Sequence, residues 1–287
     1  MPYTKIPPDA SVLITGASTG IGRACAEHLD KMGLRVFAGV RRAEDGEALV
    51  AGISERVTPV HLDVTKPDDI AAAVAQVSEA VGETGLHGLV NNAGIAVAGP
   101  LECLPIEELR RQLEINVVAL VAVTQAFLPL VRTAGGRVVN MGSTSGFLSL
   151  PLLGAYGASK YAVEAVTDSM RLELRPWGIH VAVIQPGAIA TPIWDKSQGL
   201  AETIAERCPQ DRLELYAQDI EEMRRQGQKA AGDASPPEVV AKRVAHALTA
   251  RRPKTRYRMG KTAQLQYFAA HLPDRLRDAL VLAGMRV

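Results

Sequence analysis

Tyr156 and Lys160 stand four residues apart in Tyr156-Gly157-Ala158-Ser159-Lys160. On a helix that spacing puts both side chains on one face, one above the other. A phenol with a pKa near 10 exchanges protons poorly at neutral pH, whereas a neighbouring ammonium favours the phenolate and lowers that value. The pair therefore makes a usable proton donor. Ser143, in Asn140-Met141-Gly142-Ser143, offers a hydroxyl able to hold a substrate oxygen. Asn116, in Glu114-Ile115-Asn116-Val117, sets an amide within an apolar stretch, where it needs a partner or a reason.

A second constellation is Thr15-Gly16-Ala17-Ser18-Thr19-Gly20-Ile21-Gly22, which joins a strand-like run over 11–15 to a helix-like run starting near Gly20. A strand turning straight into a helix leaves the helix's first N–H groups facing the loop, where they attract anionic oxygens. Glycines there permit a tight turn and close approach of the backbone to a pyrophosphate. The phosphate loop of kinases and ATPases needs Lys-Ser or Lys-Thr after the last glycine. Arg23-Ala24 stands there instead.

Positioning these groups takes alternating elements. Short apolar runs at 35–40, 57–62, 88–91, 137–141 and 180–185 read as strands buried between two helix layers. Helical patterns fall at 67–81, 106–133 (closed by Gly135-Gly136) and 156–175. The alternation predicts an α/β, doubly wound parallel sheet of Rossmann type, with ligands at the carboxyl ends of its strands. Beyond Thr191 the rhythm breaks into a polar stretch, 195–233, in which Leu213, Tyr216, Ile220 and Met223 recur at helical spacing. The chain is thus expected to form one domain over 1–287, with a substrate-covering insertion over 192–237 and a C-terminal extension over 238–287. That extension includes a helix over 238–250, an edge strand over 255–259 and two helical pieces around Pro273. The run Arg251, Arg252, Lys254, Arg256 and Arg258 reads as solvated charge at a sheet edge.

The 287 residues carry 47% hydrophobic and 22% charged side chains, and a net charge of +1. No global field draws the protein to nucleic acid or a membrane. Cys25, Cys103 and Cys208 lie far apart, which speaks against a disulfide framework and a zinc site and favours a reducing, cytoplasmic setting. No signal peptide, membrane-length apolar run or metal-ligand spacing is expected.

Together these residues resemble the short-chain dehydrogenase/reductase family over about residues 10–192, most closely its hydroxysteroid and retinol dehydrogenase branch. The glycine motif falls on residues 15–22, the adenine-side acid on Asp63-Val64, and Asn-Asn-Ala-Gly on 91–94. The active-site asparagine falls on Asn116, the serine on Ser143, and Tyr-x-x-x-Lys on Tyr156 and Lys160. Pro-Gly with its downstream threonine falls on Pro186, Gly187 and Thr191. The resemblance implies that Tyr156 moves a proton at the substrate oxygen and Ser143 holds that oxygen. Lys160 would bind the nicotinamide ribose and lower the tyrosine's pKa, and Asn116 would hold a relaying water. Gly16, Ser18, Gly20, Ile21 and Gly22 would cradle the cofactor phosphates. Asp63 and Val64 would meet the adenine, and Asn92, Ala93 and Gly94 the adenosine ribose. Ile189 and Thr191, after Pro186 and Gly187, would meet the carboxamide and phosphate side. The family also implies a homodimer or homotetramer.

The second strand run ends Gly39-Val40-Arg41-Arg42, with two guanidiniums and no carboxylate where a free ribose would want one. NADP(H) is therefore expected over NAD(H), which stays possible, with Arg41 the foremost contact and Arg42 beside it. Ile95, Ala96, Val97, Phe147, Leu148, Leu150, Leu152, Leu153 and Trp194 would border the substrate, implying a lipophilic alcohol or carbonyl of steroid, retinoid or aliphatic type. Two other readings stand open: a cofactor-binding regulatory or scaffold protein without turnover, and a non-redox family reaction such as epimerisation or dehydration.

Overall fold

The structure, a computed structural model, describes residues 7, 10–260 and 263–285. Seven strands form one sheet: β1 (Ser11–Ile14), β2 (Arg35–Val40), β3 (Val57–His61), β4 (Gly88–Asn91), β5 (Arg137–Met141), β6 (His180–Pro186) and β7 (Arg256–Met259). Their order is β3-β2-β1-β4-β5-β6-β7 and every neighbouring pair is parallel. The order reverses between β1 and β4, which opens a crevice at the carboxyl ends of those two strands.

Successive side chains of each strand serve opposite layers. Val12 and Ile14 join the core beneath α1 (Gly20–Lys31) and α10 (Pro237–Thr249), which includes Leu29, Val244 and Leu248. Leu13 joins the other, built with Ile70 and Val77 of α3 (Pro67–Val81) and Val123, Phe127 and Val131 of α5 (Ala119–Ala134). Burial on both faces explains why the strands are apolar throughout rather than alternating.

The expected long helix over 106–133 is divided. It runs as α4 (Ile106–Leu113), one π-helical turn (Glu114–Val118) and then α5. An inserted residue of this kind turns the following helix face by about 100°, but the continuously apolar run over 117–123 hides the shift from the sequence pattern. α2 (Ala43–Val50) was not anticipated, and α6 (Gly154–Glu173) begins one half-turn earlier than expected. The polar stretch after Thr191 folds into α7 (Ile193–Arg207), α8 (Gln210–Leu215) and α9 (Ala217–Gly232); Leu213 and Ile220 therefore sit on different helices. The tail adds α11 (Ala263–Ala270) and α12 (Asp274–Met285).

Two expectations are corrected here. Cys103 and Cys208 are joined as a disulfide with Cα atoms 5.1 Å apart, although 105 residues separate them in the chain. Spacing along the sequence carries no information about such a long-range approach. The helical stretch Ile106–Ala134 is also long and apolar enough, by length and composition, to cross a membrane. Here its Leu120, Val123, Phe127 and Val131 are buried against neighbouring elements.

Candidate active site

The glycine loop is shaped by close approach. Gly16 has φ +63°, and a Cβ there would lie 2.9 Å from Ala93 Cα; a Cβ on Gly22 would collide with the Gly16 carbonyl. Thr19, which precedes α1, makes no side-chain cap, and no acidic residue occupies the first turn. The helix's opening N–H groups are thus donors for an anion, and the loop fits a dinucleotide pyrophosphate. Thr15 Oγ1 accepts from the N–H groups of Asn92 and Ala93, each at 2.9 Å. Asn92 Nδ2 donates to the Thr15 and Gly16 carbonyls, each at 3.0 Å. These four bonds tie the loop to the end of β4. Thr191 comes over the loop from the other side, its Cγ2 3.1 Å from where a Gly20 Cβ would be.

Asp63 Oδ1 accepts from Thr65 N at 3.0 Å and from Thr65 Oγ1 at 2.7 Å. Burial works to raise its pKa, but the Thr65 bonds and the nearby Arg41 cation hold it below the ordinary value. Arg41 therefore lies within electrostatic reach of Asp63, as it does of Asp45. Arg42 is turned away onto Asp45, its Nη2 2.8 Å from Oδ1. Gly187 N donates to Met259 O at 2.9 Å, and Ile189 bridges Ser235, which fastens the segment after Pro186. Gly94 lies against Asn116, whose Oδ1 would be 3.2 Å from an added Cβ.

Tyr156 and Lys160 lie in the first two turns of α6, both buried. Ser143 leaves β5 in extended conformation, and its Oγ accepts from Ser145 N at 3.1 Å. The Ser143 hydroxyl is near enough to the Tyr156 phenol to act on its pKa, working to lower it. The ring of Trp194, on α7, stands edge-on to Tyr156 with centroids 6.1 Å apart. Lys160 Nζ is 5.7 Å from the Tyr156 ring centroid and donates to Met141 O at 2.8 Å.

The electrostatics depart from one expectation. The Tyr156 pKa is raised rather than lowered: burial disfavours the phenolate, and the Ser143 hydroxyl only partly offsets it. Lys160 is itself lowered to about 8 by burial, against the pull of Glu164. Glu164 is engaged elsewhere, accepting from Gln185 Nε2 at 2.9 Å and from Arg256 Nε at 3.1 Å.

Beneath Tyr156 lies a polar clamp whose key member the sequence reading missed. Gln112 is wholly buried. Its Oε1 accepts from Val97 N at 2.7 Å, and its Nε2 donates to Ile95 O at 3.0 Å and Ser159 Oγ at 3.3 Å. Asn116 repeats the pattern one turn on: Oδ1 accepts from Ile95 N at 2.9 Å, and Nδ2 donates to Ile95 O at 3.0 Å and Ser159 Oγ at 3.1 Å. Ser159 Oγ donates to Tyr156 O at 2.7 Å, which carries the clamp to the tyrosine's own backbone. Both N–H groups of the Asn116 amide are spent, so any water it holds must give a proton to Oδ1 or use the main chain of the π turn. The available signal was an amide pair, Gln112 and Asn116, at i, i+4 on one helix face.

The expected substrate walls divide. Val97 packs with Leu104, Ala155 and Ile204, and Ile95 beside Leu200, so these form the seat on which α7 rests. Phe147 and Trp194 instead face rings, Tyr267 and Tyr156 respectively. Leu152 has φ 62°, an uncommon conformation for a branched residue; its carbonyl accepts from Gly99 N at 2.7 Å. The covering helices are fastened by the Cys103–Cys208 bond, the Arg207–Glu107 pair and Tyr216 OH donating to Glu102 Oε2 at 2.8 Å.

With this geometry described, three kinds of comparison bear on the chain. The model of the short chain dehydrogenase family matches residues 10–201. Retinol dehydrogenase 7 of Rattus norvegicus is 38% identical over 285 residues, covering 96% of this chain and 89% of the rat protein. Estradiol 17-beta-dehydrogenase 2 of Mus musculus is 36% identical, covering 96% and 74% respectively. An NADPH-dependent 3-dehydrocapnine reductase of Ornithobacterium rhinotracheale is 36% identical, covering 96% of both chains. Among solved structures, a short-chain dehydrogenase from Streptomyces avermitilis superposes with TM-score 0.76 and 30% identity over 95% of this chain and 94% of the other. A 3-ketoacyl-(acyl-carrier-protein) reductase from Brucella melitensis, complexed with NADH, gives TM-score 0.71 and 25% identity, covering 86% and 95%.

Proposed function

Because this chain belongs to the short-chain dehydrogenase/reductase family, we propose that Tyr156 is its proton donor and acceptor, that Ser143 holds the substrate oxygen, and that NADP(H) is the preferred cofactor. The class is oxidoreductase: an NAD(P)H-using enzyme acting on the CH–OH or carbonyl group of a lipophilic molecule, retinoid- or steroid-like as in its relatives. The observation that carries the assignment of residues is the nearness of Tyr156 to Ser143 at the carboxyl end of β5, with Lys160 one turn along the same helix.

The nicotinamide, when bound, supplies or accepts the hydride. Gly16, Ser18, Gly20, Ile21 and Gly22 would hold the cofactor's phosphates and Lys160 its nicotinamide ribose. Asp63 and Val64 would meet the adenine, and Asn92, Ala93 and Gly94 the adenosine ribose. Pro186, Gly187, Ile189 and Thr191 would line the remaining side. With its pKa raised by burial, Tyr156 is a neutral phenol at pH 7. In reduction it can therefore give its proton to the substrate oxygen as Ser143 donates a hydrogen bond to the same atom. In oxidation the proton must leave Tyr156 first, and Lys160 is the cation on the same face that would favour the phenolate. Asn116, committed to Ile95 and Ser159, acts on this reading through placement of α6 and through any water its remaining acceptor can hold.

Arg41, exposed at the end of β2 with no ion pair among the described residues, is the proposed contact for a 2′-phosphate, while Arg42 is engaged by Asp45. Arg41→Ala is expected to lower the ratio of kcat/KM for NADPH over NADH about tenfold or more; an unchanged ratio overturns the NADP(H) assignment. A panel of steroid, retinoid and aliphatic carbonyls with both reduced nicotinamides tests the substrate class. Activity confined to sugars or charged acids would contradict it. Under the same proposal residues 192–237 cover the substrate within one domain of 1–287, and 238–287 extend it. The exposed Val118, Leu172 and Trp177, on or beside the long helices, support a homodimer or homotetramer, measurable by light scattering. A cytoplasmic location completes the reading.

A further inference from the structure

The charge of this protein is unevenly divided. Residues 251–287 hold nine Lys or Arg against two Asp or Glu, whereas the rest of the chain holds 23 against 29. A net charge near zero conceals a cationic tail on an acidic body. Arg251, Arg252 and Lys254 before β7, and Arg275 on α12, are exposed and make no ion pair with a described residue.

The same tail exposes apolar side chains in a pattern its packing explains. α11 turns Ala263 and Tyr267 inward: Ala263 is 1% exposed, and Tyr267 packs edge-on to Phe147 and beneath the Arg258 guanidinium, 3.7 Å from its ring centroid. Leu265 and Phe268 consequently project outward, 72% and 69% exposed. α12 turns Arg277 and Val281 inward, Gln226 of α9 donates to Gly284 O at 2.8 Å, and Leu276, Leu280 and Leu282 are left about half exposed. Two adjoining helices thus present large apolar side chains to the outside, directly after the basic run over 251–258.

We propose that this tail docks on an anionic lipid bilayer, with Leu265, Phe268 and the outer leucines of α12 entering the headgroup boundary and the tail's cations meeting acidic headgroups. Apolar insertion supported by clustered Lys and Arg is the physical signature of interfacial binding. A second copy of the chain is the weaker occupant, because a two-fold axis would set this patch against itself and oppose like charges. The contact between Tyr267 and Phe147, four residues after Ser143, means that a bilayer under α11 lies beside the loop that carries the proposed oxygen-holding hydroxyl. The proposal stands apart from the assignment of the reaction, since docking needs no turnover.

The experiment is co-sedimentation of the full chain with vesicles of phosphatidylcholine alone or mixed with phosphatidylserine. Light scattering and activity on a water-soluble carbonyl are measured alongside. Binding is expected on the acidic vesicles, falling at least about tenfold on neutral ones and at high salt. Leu265→Ser with Phe268→Ser, and separately Arg251→Glu with Arg252→Glu and Lys254→Glu, are each expected to weaken it about tenfold or more. Both variants should leave soluble-substrate activity unchanged. Absence of sedimentation, equal binding to neutral vesicles, or full binding by both variants overturns the proposal. A change of oligomeric state in the Leu265→Ser, Phe268→Ser variant without vesicles also overturns it, by assigning the patch to a second copy.

Discussion

Strands β1, β4, β5 and β6 are buried over their whole length, whereas α7, α8 and α9 together bury only Ser197 and Ile204. The interior of the first region is also wired by polar side chains. Asn91 Nδ2 donates to Asn140 Oδ1 at 2.9 Å and to Thr124 Oγ1 at 2.8 Å, and Asn140 Nδ2 to Thr167 Oγ1 at 2.9 Å. Among the described residues the covering region is instead held by a few ties across long loops: one disulfide, the ion pairs Arg207–Glu107 and Arg212–Glu102, and one phenol-to-carboxylate bond. A site built across that boundary takes its proton chemistry from buried, densely bonded groups and its substrate shape from sparsely buried helices. The comparison predicts that changes in the two regions fail differently: those in the core reduce turnover or global stability, and those in the cover alter substrate affinity.

The strongest test of the cover is to cut its staple. The Cys103–Cys208 bond closes a loop of 105 residues, for which loop-closure entropy alone corresponds to about 4–5 kcal/mol. Reduction, or Cys103→Ser, is expected to lower the unfolding free energy by about 2–4 kcal/mol in urea titration. It should also raise the substrate KM while the cofactor Kd stays the same. A rise in cofactor Kd of the same size would erase the distinction between the two regions.

A smaller loss is expected in the core from Gln112→Leu, which leaves the buried Val97 N–H without its partner. The cost is about 2–3 kcal/mol. Because the clamp seats Tyr156, kcat is expected to fall with little change in KM, and Gln112→Glu to recover part of the stability but not all. A purely local packing role would leave kcat untouched.

Comparable in size, but confined to alkaline pH, is a term from Lys160. The unfolded chain keeps this proton up to pH 10.5, whereas the folded chain releases it near pH 8. The unfolded state therefore binds more protons between these values, and stability rises with pH across that window by at most about 3 kcal/mol. Cys25, pushed up to about 12 by burial, acts in the opposite sense above pH 9, so the readable quantity is the difference between wild type and Lys160→Met. That difference should grow in favour of wild type from pH 8 upward. A flat difference would mean that Lys160 is not held in a dry site.

Much of this arrangement is legible in the amino-acid sequence. The glycine loop, all seven strands to within a residue and the Tyr156–Lys160 spacing follow from local pattern: glycines mark positive φ, and doubly buried strands are continuously apolar. What escaped depended on events that a local pattern does not register. The π turn at 114–118 adds a residue per turn without disturbing an already apolar stretch. Cys103 and Cys208 meet only because α7 folds back over the loop after β4. Gln112 looks like a surface residue until its neighbours Ile95 and Val97 are found to present unpaired peptide groups to it. The direction of the Tyr156 shift was misjudged because proximity of an ammonium was weighed without the burial of the phenol.

The central claim is that Tyr156 transfers the proton while the glycine-loop crevice independently holds the cofactor. Tyr156→Phe tests it most directly, with single-turnover hydride transfer and cofactor affinity measured on the same protein. The account predicts a loss of transfer of about two to four orders of magnitude, with the Kd for NADPH within about twofold of wild type. Turnover surviving near the wild-type rate would contradict it.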